Sequence, residues 1–234
     1  MIFLISLVFM GISMLVSWRL KNKFEKYSQV SIMSGMSGKE IAEKMLHDHR
    51  IYDVTVYSVQ GQLTDHYNPV NKTVNLSHDV FYGRNAAAAA VAAHEVGHAV
   101  QHATAYSMLQ FRSKMVPVVN VSSTILNYVN MALMFGAGYL MYNKGTGGDM
   151  FLMILIALNA VVTLFALVTL PVEFDASNRA LKWIENTRVA SSQELALSKD
   201  ALKWAALTYV VSALGAVANL AYYIMIFMGR RNDD

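Results

Sequence analysis

The chain has 234 residues, 55% hydrophobic and 15% charged, with no cysteine and a formal net charge of +3. Absence of cysteine excludes disulfides, thiolate zinc sites and iron–sulfur clusters, so any metal must be held by His, Asp or Glu. A charge of +3 made of mixed signs is no basic stripe, which argues against a nucleic-acid partner.

Four stretches contain no Asp, Glu, Lys, Arg or His: 1–18, 115–143, 150–172 and 204–229. Each is about as long as the ~20 apolar residues that cross a bilayer core. The 138 residues between them carry every charge, at a density of about a quarter, which is that of an ordinary soluble domain. The expectation is a mainly α integral membrane protein: four transmembrane helices joined to a soluble α+β part with a small sheet.

Residues 1–18 lack a basic leader and a small-residue cleavage site, and Arg19, Lys21, Lys23 and Lys26 follow at once. That pattern predicts a retained anchor whose positive flank stays in the cytoplasm. With four spans, 19–114 and 173–203 share one side and carry 16 of the 19 Lys and Arg, so this side is expected to be cytoplasmic.

The soluble part opens with Ser37-Gly-Lys-Glu40, a capping box that predicts a helix over about 38–49 with Ile41, Met45 and Leu46 inward. Alternation over 53–59 predicts a strand, and 63–67 with 72–76 predicts a hairpin around Asn68-Pro69. The alanine-rich run from Asn85 predicts a helix over about 85–105. Two histidines and a glutamate at its centre are costly in lipid, which places it in the soluble part. Residues 173–203 suit two short amphipathic helices, the first starting after Pro171.

His94-Glu95-Val96-Gly97-His98 carries the chemistry. On a helix, side chains at i and i+4 share a face, so both imidazoles converge on one ion, with Glu95 placed to take a proton from water activated there. Chance produces such a match in about one chain of this composition in a hundred. A third protein ligand is needed. His102 is excluded as a partner of His94, because eight residues of helix rise ~12 Å. His47, His49 and His78 lie at helix ends or turns, and His66 sits at the sheet edge. Glu173, where the third predicted span re-emerges, competes for the role with Asp175 and Glu185.

The runs LTDHYNPVNKTVNLS (63–77), VAAHEVGHAVQHA (91–103) and TLPVEFDASNRAL (169–181) resemble the YugP-type membrane zinc metallopeptidases. The resemblance spans nearly the whole chain. It implies a neutral zinc endopeptidase holding one zinc through His94, His98 and Glu173, with Glu95 as catalytic base. More distantly the chain is similar to the HtpX and CAAX-prenyl proteases, membrane proteins with a gluzincin core. Those relatives carry an acid four residues after the third ligand, where this chain has Ser177, with Asp175 at +2; what orients the imidazoles is left open. By resemblance, segment 63–68 aligns an extended substrate along a sheet edge. His66, Tyr67 and Arg179 are unranked candidates for stabilising the oxyanion.

The expected substrate is a protein or peptide at the membrane, with a membrane partner as a conceivable presenter. Two alternatives stand: an intramembrane site-2-type protease and a non-catalytic zinc-bearing adaptor.

Overall fold

A computed structural model describes residues 2–135 and 146–231. In chain order its elements are α1 (Ile2–Ser28), α2 (Gly38–Asp48), β1 (Thr55–Val59), β2 (His66–Asn68), β3 (Thr73–Ser77), α3 (His78–Tyr82), α4 (Ala86–Ala103), α5 (Ser107–Met134), α6 (Thr146–Thr187) and α7 (Ser192–Arg231). The fold is mainly helical with one small three-stranded sheet. By contact it divides into two units. The apolar unit comprises 1–14, 111–169 and 209–234, and the polar unit 15–110 and 170–208.

The polar unit is built as the local signals dictate. The Ser37 hydroxyl accepts from Glu40 N at 3.3 Å and the Glu40 carboxylate accepts from Ser37 N at 2.7 Å, completing the capping box of α2. Asn85 caps α4 in the same way, its Oδ1 accepting from Ala88 N at 2.9 Å. The predicted hairpin forms: β2 and β3 are antiparallel, with His66 opposite Asn75. Its first strand starts later than expected, at His66, because Leu63 adopts a left-handed conformation (φ 57°) that interrupts extended backbone. β1 pairs with β3 in parallel, giving the order β1-β3-β2 and leaving β2 at an edge.

The core of this unit joins Val56, Val74 and Leu76 of the sheet to Ile41 and Met45 of α2, Val80 of α3, the alanines of α4 and Ala180 and Ile184 of α6. Alanine matters here because its small side chain lets neighbouring elements approach the α4 backbone while still burying apolar surface. Trp183 Nε1 donates to Asp48 at 3.0 Å, tying α6 to α2. From α7, Ser198 donates to the carbonyl of Ala86 at 3.3 Å.

The apolar unit has a small buried cluster of Leu126, Leu152, Leu155, Tyr222 and Tyr223. Within it, Thr163 donates to the Ala216 carbonyl at 3.1 Å and Arg230 pairs with Asp149 at 2.9 Å.

Two expectations are corrected. Three helices, not four, are long and apolar enough to cross a membrane among the described residues: Leu4–Ser28, Gly147–Thr187 and Ser192–Arg230. The expected span at 115–143 falls on α5, where Asn120, Ser122, Ser123, Thr124, Asn127 and Asn130 dilute the apolar character, and on residues 136–145, which lie outside the described residues. Second, residues 173–203 are not two short helices. α6 runs unbroken through Pro171 for 42 residues, and α7 continues from Ser192 for 40. Proline at 171 removes one amide donor to the preceding turn, while its neighbours Val168, Thr169, Val172 and Glu173 are buried. Glu173 therefore sits in the interior of a helix and not in a first turn.

Candidate metal centre

His94, Glu95 and His98 lie on α4, and Glu173 on α6. What brings these helices together is Gly97. A Cβ built there would lie 2.6 Å from the Ala176 carbonyl oxygen, so only glycine permits this backbone approach. Ala176 is one turn past Glu173, and the contact sets that carboxylate against the two imidazoles.

Glu173 Oε2 is 3.4 Å from His94 Nε2 and 3.6 Å from His98 Nε2. One ligand atom from each of the three residues falls within 4.8 Å of the other two. Ligands at ~2.0–2.2 Å from a tetrahedral ion stand about 3.3–3.6 Å apart along each edge. Both Glu173–imidazole distances match such an edge, and a set of two imidazoles and a carboxylate is one that zinc accepts. The imidazoles pack edge to face, with ring centres 4.8 Å apart. Glu95 and Glu173 are both buried.

Each imidazole is held from behind. Ser177 Oγ lies 3.1 Å from His94 Nδ1. Gln101 Oε1 lies 3.0 Å from His98 Nδ1. The Gln101 amide also donates to the Val172 carbonyl and to Asp175 Oδ2, each at 2.8 Å, and Arg179 Nε donates to that same Asp175 oxygen at 2.6 Å. Burial alone would lower the His98 pKa, but the facing Glu173 carboxylate, the Glu95 charge and the Gln101 bond together raise it.

Asp65, just ahead of the edge strand, accepts from Ser77 N at 2.7 Å and from the Ser77 hydroxyl at 3.0 Å. Burial pushes its carboxyl above the ordinary value, the bonds from Ser77 pull it down, and the Glu95 charge adds to the rise.

The remaining candidates fall elsewhere. His102 meets the Tyr67 hydroxyl at 2.9 Å, outside the three-residue cluster, as the helical rise requires. His66 is exposed and bonds the Thr64 carbonyl at 2.8 Å. Asp175 faces Gln101 and Arg179 instead of the imidazoles, and Glu185 is exposed. Arg179 lies over the Tyr106 ring at 5.9 Å. Gln101 escaped the reading of the sequence, although its place three residues after His98, on the next turn of the same helix, was a usable signal. Ser177, noted there as a departure, supplies the partner of His94.

A family model described as "Putative neutral zinc metallopeptidase" matches residues 2–228. The chain is also similar to the "Putative membrane protease YugP" of Bacillus subtilis (strain 168), with 40% identity over 225 residues covering 96% of each chain. No solved structure matches.

Proposed function

The chain belongs to the neutral zinc metallopeptidase family, and from that premise we propose that it is an integral membrane zinc endopeptidase acting on protein or peptide substrates at the membrane. The observation that carries this reading is the convergence of His94, His98 and Glu173 beside a buried Glu95. His94 Nε2, His98 Nε2 and a Glu173 carboxylate oxygen would hold the ion, one per chain. When bound, zinc supplies Lewis acidity, polarising a carbonyl oxygen and lowering the pKa of water.

The residues of the chain do the rest. Glu95, adjacent to His94 on α4, takes a proton from the attacking water and hands it to the leaving amine nitrogen. The exposed edge of β2 pairs with an extended substrate backbone by main-chain hydrogen bonds, as in a gluzincin. Val172 and the uncharged stretch of α6 end where Glu173 begins, so the carboxylate follows the apolar segment and does not interrupt it. This favours a site at the membrane surface over an intramembrane one.

Glu95→Gln tests the reading. The variant should keep about one zinc per chain, by metal analysis of purified protein, while losing nearly all peptidase turnover. A native protein with no chelator-sensitive peptidase activity would sink the enzyme reading in favour of a zinc-bearing adaptor. The polar unit carries 14 of the 19 Lys and Arg, which supports a cytoplasmic site. Single cysteines introduced at 60 or 190 should accordingly resist an impermeant thiol reagent applied to intact cells; rapid labelling there would reverse the orientation.

A further inference from the structure

Resting on the metal-site reading above, a second layer of the site can be read from hydrogen-bond chemistry. Gln101 is fully buried. Its Nε2 faces two acceptors, the Val172 carbonyl and Asp175 Oδ2. Asp175 Oδ2 also receives the Arg179 Nε–H, so it accepts from both sides. Turning the amide over would set its oxygen against those two acceptors and leave its N–H groups facing His98. The orientation is therefore forced, and Oε1 must accept from His98 Nδ1 at 3.0 Å. With its proton held on Nδ1, His98 presents Nε2 toward Glu173.

His94 has no such constraint. Its partner is the Ser177 hydroxyl, which donates or accepts as it rotates. α6 supplies both the third ligand, Glu173, and the two acceptors that lock Gln101, Val172 and Asp175. We propose that Gln101 is the positioning residue of the site, fixing the tautomer and aim of His98, and that Asp175 and Arg179 act on the metal through it.

The test uses the purified full-length protein in detergent. Gln101→Met retains length and burial but offers no acceptor. Its zinc affinity, by chelator competition, should fall ~10- to 100-fold, the loss common to partners behind metal ligands. The visible spectrum of its Co²⁺ form should shift as well, because the geometry at the ion changes; a role in stability alone would leave that spectrum as in the native protein. An unchanged affinity and spectrum overturns the proposal.

If Gln101→Met does not fold, Asp175→Leu decides, because it leaves Gln101 in place and removes one of the two acceptors that hold its amide over. Zinc affinity should then fall and the Co²⁺ spectrum shift; native affinity and spectrum in that variant overturn the proposal. Failure of the native protein to bind zinc would instead refute the metal-site reading.

Discussion

The two units treat exposure in opposite ways. In the polar unit the apolar side chains of sheet and helices form a continuous buried core, and all seven histidines lie there. In the apolar unit the buried cluster is small, while Val121, Tyr128, Met153, Leu164 and Met225 lie open. In water such a surface is a liability, whereas in hydrocarbon it is the expected one. An exposed side chain therefore reports a different solvent in each unit.

The sharpest way to break this comparison is at Glu173, the acid with which the polar unit begins on α6. Glu173→Ala should lose bound zinc and hydrolysis together, whereas Asp175→Ala should keep the metal and cost no more than the ~10- to 100-fold of an outer partner. Metal analysis beside peptidase rates checks both; zinc loss in the Asp175 variant alone would reassign the ligand.

Next in size is the contrast of solvents. Leu164→Lys, near the middle of the uncharged stretch of α6, should cost about 2.5–3.5 kcal/mol of insertion energy. Val70→Lys, in the turn between β2 and β3 and more open still (87% exposed against 47% for Leu164), should change stability by no more than about 0.5 kcal/mol. Insertion yield and thermal unfolding in detergent would measure the pair, and equal effects at the two positions would remove the distinction between the units.

The smallest effect belongs to helix contact. Gly97→Ala sets a methyl group against the Ala176 carbonyl and should destabilise by about 1–3 kcal/mol through overpacking. Because the same contact aims Glu173, zinc affinity should fall with it. Unchanged melting and affinity would show that the helices can part without disturbing the site.

Much of this arrangement is legible in the residues. Ser37 and Glu40 announce α2, Asn85 and the alanines announce α4, and the His94-to-His98 spacing carries two of the three donors. The family resemblance, not spacing, singled out Glu173 from Asp175 and Glu185. The parallel pairing of β1 with β3 was not legible, because it depends on helices packed across the sheet and not on any local turn. α6 was misread at Pro171, since proline is favoured in a first turn and its tolerance deep inside a helix is decided by packing that no local pattern records. Gln101 hid for a related reason: a lone amide on a helix looks like surface until its partners on α6 are known.

The neutrality of the two groups behind the imidazoles has an electrostatic consequence. Ser177 and Gln101 carry no formal charge, so a divalent ion held by two neutral imidazoles and Glu173 would keep one uncompensated positive unit. An acid at position 177 would cancel it. Asp175 offsets nothing, because Arg179 neutralises it locally. A divalent ion bound there would be left more electrophilic, and Glu95, the single acid of α4, would answer its charge.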